Sequence, residues 1–302
     1  MRIVFAGTPD VAVPSLDALV QSKHNVVGVV TRPDAPAGRG RKLAPSPVAA
    51  RADELGLPVL KPDHPRDDDF QASLRVLAPD VCAVVAYGAL LPQSALDIPA
   101  QGWINLHFSV LPRWRGAAPV QRAIMAGDSE TGTTCFRIVS ALDAGPIFDV
   151  ERHAMPESTA GELLTQLASS GAAQLVRVMD SIAQGATPQE QPSDGVTVAR
   201  KLTVDEARID FQQPAEDVRN HVLGCSPDPG AWCMDGDLRL KVFRARLAPD
   251  VEAAPGLLVV TKRQVFVGCG DGAVELLEVQ ASGKRRMAAI DWARGKGQGE
   301  LR

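Results

Sequence analysis

Asn105 and His107 stand two positions apart at the end of an apolar run, Gly102-Trp103-Ile104. In a strand, positions i and i+2 project from the same face. The spacing therefore predicts a carboxamide and an imidazole pointing together off a strand's carboxyl end. Downstream, Ser109-Val110-Leu111-Pro112-Arg113-Trp114-Arg115-Gly116 breaks the strand, and a helix is expected from about Pro119. In open α/β sheets, ligands bind beyond the carboxyl ends of the strands. An amide donor, a titratable base and a shaped apolar loop are what acyl transfer needs at one point in space. Taken singly, each piece has an ordinary structural reading: a satisfied His, a turn Asn, a loop punctuated by Pro and Gly. The combination is far more specific than its parts.

The elements that must position these groups follow from hydrophobic periodicity. Residues 2–6 read as a buried strand and residues 13–20 as a helix. Residues 25–30 form a second strand, and Ser46 before Pro47 caps a helix reaching about Leu55. A short strand at 58–60, a helix end at 70–77, a doubly buried strand at 81–86 and the strand 103–107 follow. This alternation implies an α/β fold with a doubly wound, mainly parallel, Rossmann-like sheet. Two more strands (133–139 and 147–153) precede a helix from about Thr159 to Ala183. The composition then turns polar and rich in Pro and Gly over residues 185–195, which marks a linker. Five short strands after it suggest a small β-barrel of the oligonucleotide-binding type. The expected division is 1–184, a linker at 185–204, and 205–302.

Composition limits the function classes. The 302 residues carry a formal charge of −4 with 45% hydrophobic content, as in soluble globular proteins. Bulk charge does not announce a nucleic-acid binder, although a local basic patch would escape it. Five scattered Cys, never in a C-x-x-C pair, argue against a disulfide framework or a zinc site and suit a reducing cytosol. No apolar run is long enough to span a bilayer, and the immediate entry into a strand is read as the absence of a targeting peptide. Gly7-Thr8-Pro9-Asp10 after the first strand is not G-x-G-x-x-G, and no P-loop is present, so neither a nicotinamide nor a nucleotide phosphate site is expected.

The stretch 105–116 resembles the signature of the folate-dependent formyltransferases, Asn-x-His-x-Ser-Leu-Leu-Pro-x-x-Arg-Gly. Further matching stretches run in order along most of the chain. They include Phe5-Ala6-Gly7-Thr8-Pro9, Ala86-Tyr87-Gly88, Arg115-Gly116-Ala117-Ala118-Pro119, Leu142-Asp143-Ala144-Gly145, Glu206-Ala207-Arg208-Ile209-Asp210 and Pro229-Gly230-Ala231-Trp232. As a set they are similar to the family's members acting on methionyl-tRNA. Two positions depart from the signature: Phe108 sits where the family has a small residue, and Val110 replaces Leu.

The resemblance implies formyl transfer from 10-formyltetrahydrofolate to the α-amino group of methionine on initiator methionyl-tRNA. It implies a cytoplasmic enzyme of translation initiation with no metal, no NAD and no stable protein partner. It assigns Asn105, His107 and Asp143 as the catalytic triad. Without that assignment, Asp143 would read as a loop Asp serving a turn. Ser109, Val110, Leu111 and Pro112 match the family's folate loop, and Tyr87-Gly88 is expected to supply a second wall. The segment 32–42 carries Arg32, Arg39, Arg41 and Lys42 against one acid, Asp34. In similar proteins an insertion here reaches the tRNA acceptor end, which makes Arg39, Arg41 and Lys42 the expected tRNA contacts.

A second cationic run, Arg239-Leu240-Lys241-Val242-Phe243-Arg244-Ala245-Arg246, alternates so that its cations fall on two faces unless a β-bulge near Val242 unites them. Residues 205–302 hold 14 basic and 15 acidic side chains, so any RNA face there depends on segregation of charge. The rival readings are a formyltransferase acting on an amino-sugar nucleotide, one acting on glycinamide ribotide, and a non-catalytic folate- or RNA-binding module.

Overall fold

The computed structural model describes residues 1–37, 42–296 and 299–302. In chain order its larger elements begin with β1 (Arg2–Gly7), α1 (Val13–Gln21), β2 (Asn25–Val30), α2 (Pro47–Glu54) and β3 (Val59–Leu60). Then come α3 (Asp68–Leu77), β4 (Val81–Val85), β5 (Trp103–His107), α4 (Pro119–Met125), β6 (Glu130–Arg137), β7 (Ile147–Ala154) and α5 (Ala160–Ala183). The chain continues through α6 (Ala215–Gly224), β8 (Ala231–Asp235), β9 (Leu238–Leu247), β10 (Leu257–Val260), β11 (Val265–Cys269), β12 (Gly272–Ala281) and α7 (Ala289–Ala293).

Two compact units emerge. The first comprises Met1–Gly116, Gly132–His153 and Leu164–Val198. The second comprises Ala117–Thr131, Ala154–Leu163 and Ala199–Arg302. The second unit thus draws on two stretches upstream of the composition change as well as on the C-terminal third.

In the first unit the strand order is β7-β6-β5-β4-β1-β2-β3. β1 pairs in parallel with both β2 and β4, and β5 in parallel with β4. The chain therefore winds outward from β1 on one side and returns to wind outward on the other, the doubly wound pattern. β6 joins β5 antiparallel, with Asn105 opposite Phe136 and His107 opposite Thr134. One core cluster collects Val4, Ala6, Val30, Phe70, Leu74, Cys82, Val84 and Trp103. Trp103 is fully buried and donates its indole N–H to the Ala95 carbonyl at 2.8 Å, so its one polar atom is satisfied. Ser46 caps α2 as its sequence implies, its hydroxyl accepting from the Ala49 N–H at 3.1 Å.

In the second unit an antiparallel sheet runs β8-β9-β12-β11-β10 and on to Gly299–Glu300. The chain's last residues bridge the sheet's two edges. Leu301 pairs with Asp235 at the end of β8, and the Met234 and Arg302 backbones exchange hydrogen bonds at 2.5 and 3.0 Å. Closing a sheet this way removes exposed strand edges. The interior gathers Leu240, Val242, Ala245, Val265, Val267, Leu276 and Val279, with Val218 and Val222 of α6 packed against it.

Helix α6 is absent from the periodicity reading. Its stretch, Ala215-Glu-Asp-Val-Arg-Asn-His-Val-Leu-Gly224, is too polar to stand out, yet Val218, Val222 and Leu223 are buried. Pro214 before it and the acids Glu216 and Asp217 in its first turn were the available signals.

All five Cys are buried free thiols, and burial pushes those of Cys225 and Cys233 up to about 12. Among the described residues, no helix is long and apolar enough to cross a membrane.

Candidate active site

β5 delivers its side chains as strand geometry requires. Leu106 points to α5, whose Gly171 comes so near that an added Cβ would lie 2.9 Å from the Leu106 methyl. Asn105 and His107 consequently share the opposite face. Asn105 is half-buried, and among the described residues its carboxamide has no hydrogen-bond partner in the protein. His107 is 6% exposed and meets the Phe136 ring edge-on. Its Nε2 lies 2.9 Å from the Trp114 carbonyl oxygen. A carbonyl only accepts, so Nε2 carries a proton here. Nδ1 faces the Asp143 carboxylate at 3.9 Å.

Asp143 reaches the site from the loop between β6 and β7. It adopts φ +47°, a left-handed conformation that Asp tolerates better than most residues. Its Oδ2 accepts the Gly116 N–H at 2.7 Å. Two positions on, a Cβ at Gly145 would lie 1.8 Å from the Arg137 carbonyl, so only glycine lets the loop turn back onto β6. The structure thus brings Asn105, His107 and Asp143 together although 36 positions separate Asp143 from His107 in sequence.

The loop 109–116 is pinned to the sheet by Thr134. Its hydroxyl donates to the Ser109 carbonyl at 2.7 Å and accepts from the Leu111 N–H at 3.1 Å. Ser109 Oγ closes the turn by donating to the Arg113 carbonyl at 2.8 Å. Ser109 and Leu111 are buried, and Val110 and Pro112 are half-buried. Phe108 is buried. Tyr87 lies in the core cluster with only 2% exposure, so its ring packs inward, while the neighbouring Gly88 is exposed. Thr8, at the end of β1, donates its hydroxyl to the Tyr87 carbonyl at 2.8 Å and ties the loops after β1 and β4 together.

The cationic loop is a short antiparallel hairpin at its base, Ala35–Ala37 against Lys42–Ala44. Lys42 is exposed on it; Arg39 and Arg41 lie outside the described residues. The second cationic run forms β9, and it does bulge. The register slips between Val242 and Ala245, Val242 and Phe243 are both buried, and Arg239, Lys241, Arg244 and Arg246 all fall on the outer face. Each of the four is engaged there. Arg239 stacks 3.8 Å from the Trp232 ring centroid, Lys241 donates to the Pro229 carbonyl at 2.8 Å, Arg244 pairs with Glu162, and Arg246 pairs with Glu275 at 2.7 Å.

Sequence reasoning missed the stretch 189–197, which its composition marks as linker. Gln189 exchanges backbone hydrogen bonds with Ile147 at 2.6 and 2.8 Å. Thr197 accepts the Trp114 N–H on its hydroxyl at 2.8 Å and the Arg115 N–H on its carbonyl at 2.9 Å. Gln191 contacts both the Asp143 loop and Arg115. A polar, Pro- and Gly-rich stretch has no periodicity to reveal such contacts; only the run Val196-Thr197-Val198 hints at extended pairing.

Comparisons with known proteins bear on the family and the fold. A formyl transferase family model matches residues 1–179, and a model of the formyl transferase C-terminal domain matches residues 201–297. The methionyl-tRNA formyltransferase of Streptomyces avermitilis is 57% identical over 301 residues, covering 98% of this chain and 96% of the relative. That of Streptomyces coelicolor is 57% identical over 299 residues, with the same coverage. Among solved structures, a sugar 3N-formyl transferase, WlaRD, crystallised in the presence of dTDP and 5-N-formyl-THF, superposes with a TM-score of 0.72 at 15% identity. The match covers 94% of this chain and 99% of that one. Methionyl-tRNA formyltransferase from Clostridium thermocellum gives a TM-score of 0.60 at 16% identity, over 82% of this chain and 94% of that one. At such identities the structural likeness speaks for the fold alone, whereas the Streptomyces relatives match along nearly the whole sequence. The chain belongs to the formyl transferase family, and within it to the methionyl-tRNA formyltransferases.

Proposed function

We propose that this chain transfers the formyl group of 10-formyltetrahydrofolate to the α-amino group of methionine on initiator methionyl-tRNA, in the cytoplasm, for translation initiation. The observation that carries the reading is the convergence of Asn105, His107 and Asp143 at the carboxyl end of β5. The neutral amine attacks the formyl carbon, and the electron pair of the carbonyl moves onto oxygen. A free α-amino group has a pKa of about 7.7–8.0, and an ester neighbour lowers it, so the nucleophile needs little activation. Stabilising the oxyanion is the harder task. Asn105 offers an unengaged carboxamide for it, and His107 offers an N–H that the formyl oxygen must win from the Trp114 carbonyl. Collapse breaks the bond to folate N10, and the proton lost by the amine passes through His107 to that departing nitrogen. Asp143 stands beside the imidazole and helps to orient it.

The loop 109–112 supplies an apolar slot for the pterin, with Gly88 at the neighbouring strand end as a second wall. Tyr87 contributes to that wall through its backbone, since its ring is committed to the core. In this reading residues 1–184 carry out transfer, 185–204 connect while their stretch 189–197 braces the site, and 205–302 help hold the tRNA together with Arg39, Arg41 and Lys42. The test is a transfer assay with 10-formyltetrahydrofolate, comparing methionyl-tRNA, glycinamide ribotide and an amino-sugar nucleotide as acceptors. Methionyl-tRNA is expected to be strongly preferred. Preference for the amino-sugar nucleotide, with methionyl-tRNA inert, would overturn the reading.

A further inference from the structure

We propose that Gln191 is a positioning residue for formyl transfer, holding the Asp143 carboxylate beside His107. The proposal rests on the catalytic reading of Asp143 given above. Gln191 is half-buried, and its carboxamide is fully used. The amide nitrogen donates to the carbonyl of Asp143 itself at 2.8 Å and to that of Gly145 at 2.7 Å. The amide oxygen accepts from Arg115 Nε at 3.1 Å and Nη2 at 2.6 Å. Arg115 precedes Gly116, whose N–H is held by the Asp143 carboxylate at 2.7 Å. These bonds close a ring running from Asp143 to Gln191, to Arg115, to Gly116 and back to Asp143.

The ring has a consequence for Asp143. Its backbone sits in a left-handed conformation, and its side chain stands 3.9 Å from His107, beyond hydrogen-bond distance. No direct bond to the imidazole therefore fixes the carboxylate. Its place is set by the Gly116 N–H and by the loop that Gln191 clamps. The chemistry of the clamp selects its residue type. Two carbonyls require two N–H donors, and the guanidinium requires an acceptor; a glutamine supplies both on one planar group. A glutamate keeps the acceptor but has no donor for the two carbonyls. A neutral amide also takes the Arg115 guanidinium without cancelling its charge.

A Gln bonded to loop carbonyls is often no more than a loop fastener. The two roles part in kinetics. The assay is transfer from 10-formyltetrahydrofolate to methionyl-tRNA with the full chain, for Q191A, Q191E, D143N and the double variant Q191A/D143N, each checked for folding by its thermal midpoint. If Gln191 acts through Asp143, kcat of Q191A falls roughly 10- to 100-fold, as misplacement of a reacting group by about 1 Å does, with both KM values little changed. The double variant is then no slower than D143N alone, because the two substitutions remove one function. Q191E should be as slow as Q191A, since it retains only the bond to Arg115; should Q191A fail to fold, Q191E in the same cycle carries the test. Wild-type kcat in Q191A or Q191E, or losses that multiply with that of D143N, would overturn the proposal. Full activity of D143N alone would sink the reading of Asp143, and the proposal with it. An impaired D143N beside an unimpaired Q191A sinks the proposal only.

Discussion

Two polar regions that stand out in the sequence end in opposite states. At the end of β5, Asn105 keeps a carboxamide with no partner among the described residues, beside an imidazole and a carboxylate. On β9, four cations share the outer face and every one is engaged by a neighbour. A half-buried carboxamide with no protein partner keeps its hydrogen-bonding capacity open for a ligand. A row of cations bonded within the protein is, by contrast, ordinary surface chemistry, each exposed pair worth about 0–1 kcal/mol. Residue type and spacing flagged both regions equally; what separates them is whether the fold supplies partners.

The largest effect should come from the first region. Asn105→Ala and His107→Ala are expected to keep the fold and to lose on the order of 10²–10³ in kcat, the typical cost of removing an oxyanion donor. An Asn105→Ala enzyme within a few-fold of wild type would end the comparison, because the unpartnered carboxamide would then have no task.

Asp143→Asn should follow, with a loss on the order of 10² in the chemical step, as for a group that assists proton transfer. Single-turnover kinetics with bound folate separates the alternatives. Normal chemistry with weakened folate affinity would move Asp143 out of the catalytic group and into binding.

The cations sharpen the other side of the contrast. Removing Arg39, Arg41 or Lys42 should make the salt dependence of methionyl-tRNA affinity shallower, by up to about 0.7–0.9 in the log–log slope for each phosphate no longer neutralised. Arg246→Ala on β9 should leave that slope unchanged, since its guanidinium is committed to Glu275. If Arg39 reads a base at the opened acceptor end, its loss should weaken discrimination between initiator and elongator tRNA, because base contacts specify and phosphate contacts position. Equal slopes for the hairpin variants and wild type would return the hairpin to ordinary surface.

The smallest effect concerns acid stability of the second unit. Glu162, in a capping box with Thr159 at the start of α5, and Glu206, which exchanges hydrogen bonds with Thr203 across a turn, both have carboxyls held below the usual glutamate range. For Glu162 the Thr159 backbone N–H is the main cause, and for Glu206 the Arg122 guanidinium. A carboxyl depressed on folding contributes stability that is present above its unfolded pKa and is lost as pH falls through the folded value. His221, lowered chiefly by burial, acts with the same sign at higher pH: its contribution begins to fade as pH drops through the ordinary histidine range. The thermal midpoint should therefore decline first below about pH 6.5 and again below about pH 4.5. Thr159→Ala, which removes the cap of α5, should remove part of the second step and cost about 0.5–2 kcal/mol at neutral pH. A flat midpoint from neutral to acid pH would contradict the assignment.

The sequence by itself determined what depends on near neighbours along the chain. The strand Trp103–His107, the shared face of Asn105 and His107, the Ser46 cap and the helix from Pro119 all follow from periods of two or 3.6 and from cap chemistry. The bulge in β9 was legible only as a condition, the one under which its four cations share a face; the structure meets it. The tertiary structure alone decided which distant groups meet. It placed Asp143 beside His107, packed the Tyr87 ring inward, turned the polar stretch 189–197 into a brace for the site, and gave each β9 cation its partner. It also made a helix of Ala215–Gly224, whose apolar positions are too few to announce themselves until a barrel is there to cover them. Periodicity encodes which face a residue takes, and that information is local. Which faces and loops come together is set by burial and hydrogen-bond satisfaction summed over the whole chain, and no window of a single sequence contains that sum.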